Sequence, residues 1–355
     1  MGCDVRQTLL ECKSNNMPSL WLSTIRDLLA RIQFVFSPEV VHVNPYTYEN
    51  GISDVKSHLE EETPKLLHYE IQFRSALDTG YSENSLVKGE YYQPRVEHKV
   101  PLAILVHGMG DHSVIPCKLL ARSLLGQGVA SFIPYLTIHS KRIPKDIRNH
   151  LPYLTPAEWF QCYQTSVVDI RQIVDWAYGR NELDAQQVAT IGISFGGFVS
   201  VITMGIDTRI KAGVFIVAGG NSNKISWLSK DNQYRKRYPR TEAEHLEIQS
   251  SYAQYLKDVS EKGFENVMPV NQSFLTDPLT FAGYLKERPV LMINAKWDKY
   301  IPRETAAELW QACGQPPIKW IPSGHSSIWL WYTAIRRSIA AFLKSSLDVS
   351  GHSGQ

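Results

Sequence analysis

Residues 188–204 read VATIGISFGGFVSVITM, and the predicted fold class follows from them. A short apolar segment of strand character leads into Ser194, and the small and apolar residues after it are typical of a buried helix. Gly192, Ser194 and Gly196 form the pattern G-x-S-x-G. Between a strand and a helix, this pattern predicts a sharp turn that raises a nucleophilic serine above the edge of a sheet. The alternative is a glycine-rich turn with an incidental serine.

Other short apolar segments alternate along the chain with segments of helical periodicity. Those with strand character are residues 100–108, 128–136, 188–194, 212–220, 289–298 and 317–325. Strands that alternate with helices predict a mostly parallel sheet covered by helices on both faces, which is an α/β fold. Residues 66–77 and 86–94 precede this region and predict an antiparallel pair.

The helices of this pattern carry recognisable start and stop signals. Residues 155–158, Thr-Pro-Ala-Glu, have the spacing of a capping box with proline at the first helical position. Residues 117–128 and 302–314 predict helices that each end at a glycine. Residues 326–345 predict the last helix of the domain.

The excess length of the chain falls outside the alternating pattern. Residues 1–64 predict an N-terminal extension, in which residues 19–34 form an amphipathic helix. This helix packs on the body of the domain, or else serves as a lid or a dimer contact. Residues 65–345 predict the catalytic domain, with 221–285, where no strand is predicted, as a helical cap insertion. Residues 346–355 predict a flexible tail.

The composition excludes several classes of protein. The chain has 355 residues, of which 43% are hydrophobic, and a formal net charge of +2. The near-neutral charge argues against nucleic acid as the main partner, because nucleic-acid-binding domains usually carry a clear excess of basic residues. No apolar run approaches the roughly 18 residues that a membrane-spanning helix needs.

The cysteines indicate the compartment. Their number is five, which is odd, and no two have the spacing C-x-x-C. This pattern argues against a disulfide framework and against a zinc knuckle. The first residues lack the apolar core of a signal peptide. We therefore expect a cytoplasmic protein.

A serine hydroxyl needs a base within hydrogen-bond reach and a carboxylate that orients the base. His325 lies in a Ser-Gly-His turn after the last predicted strand, and Asp298 follows the strand before it. The chain order Ser194, Asp298, His325 is the order expected for a nucleophile elbow of this type. Asp277 is the second candidate for the acid, although its Asp-Pro context favours a turn. Asn221 stands where an acid would follow the preceding strand.

The motif HGMG, residues 107–110, follows the strand at 100–108. Such a loop supplies one backbone N–H to an oxyanion, and the residue after the nucleophile supplies the other. We expect these donors to be the amides of Met109 and Phe195. His107 and His112 have no third ligand spaced near them, so a loop-ordering role is favoured over a metal site. No metal and no cofactor is predicted.

Two charged clusters have simple explanations. The basic cluster consists of Lys230, Arg235, Lys236, Arg237 and Arg240. It could bind an anionic ligand, but a solvated face of the cap is the commoner explanation for such a cluster. The acidic run Glu60–Glu62 predicts a solvated loop.

Residues 169–197, DIRQIVDWAYGRNELDAQQVATIGISFGG, resemble the α/β-hydrolase superfamily. Within it, they are most similar to the branch of dienelactone hydrolases, acetyl xylan esterases and prolyl-oligopeptidase catalytic domains. Residues 290–302, VLMINAKWDKYIP, and 321–325, IPSGH, resemble the acid and histidine loops of that branch. The resemblance spans residues 65–345 and implies the α/β-hydrolase fold. Dienelactone hydrolases use a cysteine nucleophile, so Ser194 favours esterase chemistry.

Together these features predict a serine hydrolase that acts on a small-molecule carboxylic ester through an acyl-enzyme on Ser194. A peptidase or amidase, or a carbon–carbon bond hydrolase, would use the same residues. A different class of hypothesis is a binding protein on this fold without catalytic activity. Whether the chain forms a homodimer stays open.

Overall fold

The computed structural model describes residues 44–49, 51–110, 113–137, 140–148, 154–230 and 239–347. Within them lies one sheet of nine strands. In chain order these are β1 (Lys56–Glu62), β2 (Leu66–Arg74), β3 (Leu86–Pro94), β4 (Val100–Val106), β5 (Ala130–Pro134), β6 (Leu183–Ile193), β7 (Ile210–Ile216), β8 (Val290–Ala295) and β9 (Ile318–Ile321). The helix predicted at 19–34 lies outside the described residues.

The strands lie side by side in the order β1-β2-β3-β5-β4-β6-β7-β8-β9. Strands β1, β2, β3 and β5 pair in an antiparallel manner. From β5 to β9 every pair is parallel. The mostly parallel sheet and the antiparallel pair ahead of it are therefore confirmed. All carboxyl ends of the parallel strands meet at one edge, where ligands of open α/β sheets bind.

Helices cover both faces of the sheet, as predicted. The helices of the described residues are α1 (Val114–Leu125), α2 (Lys145–Arg148), α3 (Pro156–Tyr178), α4 (Phe195–Ile206), α5 (Ser222–Leu228), α6 (Glu242–Lys262), α7 (Pro278–Ala282), α8 (Arg303–Ala312) and α9 (Tyr332–Ser346). Strand β4 shows why two layers form. Leu102 and Ile104 join the core that contains α3 and α4, whereas Ala103 and Leu105 join the core beneath α1 and α9. A strand that is apolar on both faces has to be covered on both.

The predicted start of α3 is confirmed. The Thr155 hydroxyl accepts a hydrogen bond from the Glu158 amide at 3.2 Å, and the Glu158 carboxylate accepts one from the Thr155 amide at 2.7 Å. This reciprocal capping satisfies two amide groups that a helix start otherwise leaves without partners. It fixes the first turn of the 23-residue helix that packs beside β6.

The loop prediction for Glu60–Glu62 is wrong, because these residues belong to β1. Almost every residue of β1 is exposed, so the segment lacks the alternation that marks a strand. Pairing with β2 and ion pairs to neighbouring arginines stabilise it instead: Glu61 contacts Arg122 at 2.6 Å and Glu62 contacts Arg95 at 2.8 Å. The sheet thus begins before residue 65, the start predicted for the catalytic domain.

Several predicted boundaries shift. Strand β6 begins at Leu183 rather than at 188 and ends at Ile193. The helix predicted at 326–345 begins as the 3₁₀ turn Ser327–Trp331, and α9 follows from Tyr332. Residues 221–285 contain α5, α6 and α7, and no strand is found in their described parts, 221–230 and 239–285. Their role as a cap stays a prediction.

Candidate active site

The turn from β6 to α4 holds Ser194 in a rarely populated backbone conformation. Its φ is 55° and its ψ is −118°. Such a conformation costs a non-glycine residue about 1–3 kcal/mol and clusters at functional sites. The Ser194 amide donates to the carbonyl of Ile216 on β7 at 2.8 Å, which ties the turn to the neighbouring strand.

The two glycines of the motif are required by close backbone contacts. A Cβ atom at Gly192 would lie 2.3 Å from the Gly196 carbonyl oxygen. A Cβ atom at Gly196 would lie 2.1 Å from the Val106 carbonyl oxygen of β4. Any side chain at either position would push the helix away from the strands, so the pattern G-x-S-x-G has a direct steric reason here.

Ser194, His325 and Asp298 lie in one hydrogen-bonded row. His325 Nε2 is 2.9 Å from Ser194 Oγ, and His325 Nδ1 is 2.7 Å from Asp298 Oδ2. Because a carboxylate can only accept, Nδ1 carries the proton and Nε2 is left to accept from the serine hydroxyl. The structure thus brings together the three residues selected from the sequence; their catalytic roles stay a prediction.

The acid is fixed by its own loop. Asp298 Oδ1 accepts hydrogen bonds from the amides of Tyr300 at 2.8 Å and Ile301 at 2.9 Å. These bonds leave Oδ2 directed at His325. The ring of Tyr300 meets the imidazole edge to face, with 5.2 Å between the ring centroids, so it covers part of the pair.

The loop that contains Met109 lies on the nucleophile turn. A Cβ atom at Gly108 would be 3.1 Å from the Ile193 carbonyl oxygen and 3.3 Å from Ser194 Cβ. Phe195 is the first residue of α4, where backbone N–H groups point out of the helix end and favour negative charge. The predicted oxyanion donors Met109 and Phe195 therefore flank Ser194, and their role stays a prediction.

His107 connects this loop to the chain after β5. The ring is fully buried; Nδ1 donates to the Gly108 carbonyl at 2.8 Å, and Nε2 accepts from the Leu136 amide at 3.2 Å. Burial lowers the pKa of His107 to about 4, so the ring is neutral at pH 7. Within the described residues no group of three His, Cys, Asp or Glu could hold a metal ion. His112 lies outside those residues.

A buried ion pair that the sequence analysis missed anchors the same segment. Arg142 is fully buried, and its guanidinium donates to Asp169 Oδ2 at 2.6 Å and to the Tyr135 carbonyl at 3.0 Å. The Ser75 hydroxyl donates to the other oxygen of Asp169 at 2.7 Å. Asp169 opens the segment that carries the family resemblance, but nothing in the local pattern indicates Arg142 as its partner.

Aromatic side chains pack around the nucleophile turn. The Phe195 ring meets Tyr163 edge to face, with 4.8 Å between the centroids, and Trp159 lies 5.9 Å away. On the acid loop, Trp297 is 66% exposed. Phe195 and Tyr163 are buried, so their packing braces the turn at Ser194, whereas the exposed Trp297 precedes Asp298 in the chain.

The alternative candidates have other contacts. Asp277 accepts hydrogen bonds from the amides of Asn221 at 2.9 Å and Leu279 at 3.0 Å, so it caps the start of α7, where the Asp-Pro context predicted a turn. Arg240 is half-buried, donates to Ser226 Oγ at 2.7 Å and lies over the Trp227 ring. The prediction of a solvated face is therefore wrong for Arg240. Arg235, Lys236 and Arg237 lie outside the described residues.

The family model "Alpha/beta hydrolase domain containing 18" matches residues 53–345. The chain belongs to this family. The recognition of an α/β-hydrolase and of its fold is thereby confirmed, and the family match, like the sheet, begins before residue 65.

Solved structures agree on the fold. An acetyl xylan esterase from a Paenibacillus species is 17% identical, with a TM-score of 0.59 over 84% of this chain and 90% of that one. Acetyl xylan esterase 1 from a Thermoanaerobacterium species is 16% identical, with a TM-score of 0.55 over 81% and 87%. A cold-adapted esterase from an Arctic intertidal metagenomic library is 15% identical, with a TM-score of 0.54 over 85% and 99%.

No curated protein sequence matches the chain. Among the described helices, none combines the length and the apolar character needed to span a membrane.

Proposed function

We propose that this α/β-hydrolase is a serine esterase that cleaves a small-molecule carboxylic ester through an acyl-enzyme on Ser194. The observation that carries the proposal is the row in which His325 stands within hydrogen-bond distance of both Ser194 Oγ and Asp298 Oδ2. The strained turn at Ser194 supports it, because such strain is rarely kept without a functional reason. The three structural neighbours named above are esterases, which agrees with it.

In the first half of the reaction, His325 Nε2 takes the hydroxyl proton of Ser194 while Oγ attacks the ester carbonyl carbon. The carbonyl π electrons move to oxygen, and the amides of Met109 and Phe195 donate to the resulting oxyanion. Collapse of this intermediate breaks the bond to the alkoxy group, which leaves with the proton that His325 carries. Asp298 stabilises the imidazolium throughout.

In the second half, a water molecule gives a proton to His325 and attacks the acyl carbon. A second oxyanion forms at the same donors. Its collapse breaks the bond to Ser194 Oγ, which recovers the proton from His325, and the carboxylic acid is released. The same steps cleave amides and some carbon–carbon bonds, so a panel of esters of different acyl length, amides and acetylated sugars distinguishes these substrates.

The cytoplasmic location stays a prediction from the sequence.

The test uses a fluorophosphonate probe together with turnover of a short p-nitrophenyl ester. We expect Ser194→Ala to abolish labelling and to lower kcat by roughly 10⁵- to 10⁶-fold, because the attacking atom is lost. Ser326→Ala is the matched control, since Ser326 is an exposed serine next to His325 in the chain, and we expect it to be labelled like the wild type. A folded wild-type protein that is neither labelled nor active would contradict the proposal and favour a binding protein.

A further inference from the structure

A second strained residue lies beside Ser194. Val217, the residue that follows β7, has a φ of 46° and is buried. A left-handed conformation is a genuine outlier for a β-branched residue and is energetically costly. Such strain persists only where the surrounding structure holds it. The contacts of residues 217–219 maintain the strained conformation.

Asn294 of β8 accepts a hydrogen bond from this turn. The Val217 amide donates to the Ile293 carbonyl at 2.8 Å, which is the last backbone bond between the two strands at this end. The left-handed residue then turns the chain, and the Ala218 amide donates to Asn294 Oδ1 at 3.0 Å. Asn294 is 2% exposed. A side chain thus supplies the acceptor that the strand ladder no longer provides.

On one side, the turn supports the nucleophile. The carbonyl of Ile216, directly before the turn, accepts from the Ser194 amide at 2.8 Å. A Cβ atom at Gly197 would lie 2.9 Å from Ala218 Cβ, so Ala218 packs against the first turn of α4. A shift of this turn would move both the backbone of Ser194 and the helix end beside it.

On the other side, the turn supports the acid. A Cβ atom at Gly219 would lie 2.8 Å from Ile301 Cγ2, so the turn packs against Ile301. The Ile301 amide is one of the two that fix Asp298 Oδ1. Residues 217–219 are therefore wedged between the nucleophile turn and the acid loop, the two elements whose separation His325 has to bridge.

The amide nitrogen of Asn294 is unusual. Nδ2 is buried and has no hydrogen-bond partner among the described residues. An unpaired buried donor destabilises the folded state, and an apolar side chain of similar size would avoid this penalty. The unpaired Nδ2 of Asn294 therefore destabilises the fold, and the hydrogen bond that its Oδ1 accepts from Ala218 offsets this penalty.

We infer that Asn294 is a positioning residue for the reaction proposed above. Its carboxamide oxygen holds the 217–219 turn and so sets the spacing between Ser194 and the His325–Asp298 pair. It does not touch the substrate. The inference rests on the proposed function, because its effect is measured in acyl transfer.

The test compares Asn294→Leu, which removes the acceptor at similar volume, with Asn294→Asp, which keeps an oxygen in the same place. We expect Asn294→Leu to lower kcat for a p-nitrophenyl ester and the rate of fluorophosphonate labelling about 10- to 100-fold, with KM within about twofold, since small misplacements of reacting groups have effects of this size. Asn294→Asp should recover at least half of the lost effect on a logarithmic scale. Equal losses in both variants would overturn the inference.

Thr203→Val is the control for a general loss of packing. Thr203 is fully buried on α4, and its hydroxyl donates to the Val199 carbonyl at 2.8 Å, away from the turn. We expect this variant to lose thermal stability but to keep kcat. If Thr203→Val lowers kcat as much as Asn294→Leu does, the loss is one of general stability and the inference fails.

A double-mutant cycle tests the route through the turn. Glycine adopts left-handed conformations without steric cost, so in a Val217→Gly background the turn depends less on its hydrogen bond to Asn294. We expect the fold-decrease in kcat caused by Asn294→Leu to be at least threefold smaller in this background. Equal costs in the two backgrounds would contradict the route. Should Asn294→Leu fail to fold, Asn294→Ser, which withdraws the acceptor, replaces it in each comparison.

The two proposals fail in different ways. A wild-type protein without turnover or labelling contradicts the esterase. An active wild-type protein whose Asn294→Leu variant is equally active contradicts only the positioning role.

Discussion

Among the described residues, two largely buried pairs each join a histidine to a carboxylate. His325 and Asp298 meet at the carboxyl edge of the sheet, with 2.7 Å between Nδ1 and Oδ2. His68 of β2 and Glu90 of β3 meet between antiparallel strands, with 3.2 Å between Nε2 and Oε2. The histidine side chains are 16% and 14% exposed. Burial and residue type therefore do not separate the two pairs.

The residues around each pair distinguish the two pairs. Glu90 forms an ion pair with Lys118 at 2.7 Å and accepts hydrogen bonds from Tyr92 at 2.8 Å and from Tyr135, so its carboxylate is already paired within the cluster. The His68 ring stacks on Tyr92 with 4.2 Å between the centroids. No serine, threonine or cysteine hydrogen-bonds to either member of this pair in the described part of the chain.

In the other pair, the second ring nitrogen of His325 contacts the hydroxyl of Ser194, a residue that the backbone holds in strain. A histidine–carboxylate pair is therefore a candidate site only where the backbone also places a nucleophile against the histidine. Variants at the two pairs test this difference.

The largest expected difference lies between Asp298→Asn and Glu90→Gln. We expect Asp298→Asn to lower kcat by roughly 10³- to 10⁴-fold, because the amide no longer fixes the tautomer of His325 or stabilises its charged form. Glu90→Gln should keep kcat within about twofold. Ester turnover of both folded variants is the measurement. A comparable loss in Glu90→Gln would show that the two pairs are not functionally distinct.

A third histidine gives a smaller effect. His107→Leu removes the bond to the Leu136 amide, which joins the loop of Met109 to the chain after β5, and the bond to the Gly108 carbonyl within the loop. We expect kcat to fall about 10- to 100-fold, because an oxyanion donor is displaced rather than removed. His68→Leu is the matched control and should leave kcat unchanged. Unaltered turnover in a folded His107→Leu variant would argue against the loop as the oxyanion donor.

The smallest effect concerns stability and its dependence on pH. Burial alone would raise the pKa of Glu90, but ion-pair contacts with His68 and Lys118 and hydrogen bonds from Tyr135 and Tyr92 outweigh it and lower the pKa below its usual value. A carboxyl group with a lowered pKa stabilises the folded state above the pKa of the unfolded chain, about 4.3, and this contribution is lost as the pH falls further.

Glu90→Gln should therefore cost about 1–3 kcal/mol in the free energy of unfolding at pH 7 and less at pH 3.5. Urea denaturation of the wild type and the variant at both pH values measures the difference. A difference that stays constant or grows towards acid pH would contradict the assigned direction of the shift.

Much of the site was predictable because its signals are local. The turn at Ser194 needs small residues at fixed offsets, and the capping box at Thr155 needs two side chains three positions apart. The order of strands along the chain then brings Asp298 and His325 to the same edge. Each of these features depends on neighbours in sequence or on the strand-to-helix alternation.

The remainder depends on contacts between distant parts of the chain. Strand β1 exists because β2 offers it an edge, which an exposed, acidic segment does not reveal. The pairing of Arg142 with Asp169 joins residues that no periodicity connects. The left-handed turn at Val217 is followed by a hydrogen bond from the Ala218 amide to Asn294, 76 positions later in the chain, and the apolar residues before the glycine pair gave no sign of such a turn.

The exposed charges of β1 also affect how this edge of the described sheet can pair with another strand. A strand at the edge of a sheet leaves a row of backbone donors and acceptors that can pair with another molecule and start aggregation. On β1 this row is flanked by Lys56 and by exposed charges at Glu60 and Glu62, and at the opposite edge β9 offers only four residues. An incoming strand would have to desolvate exposed charges at one edge, and at the other it would find only a short template. Exposed charges on an edge strand are a common device against edge-to-edge aggregation, and the glutamates of β1 fit that pattern.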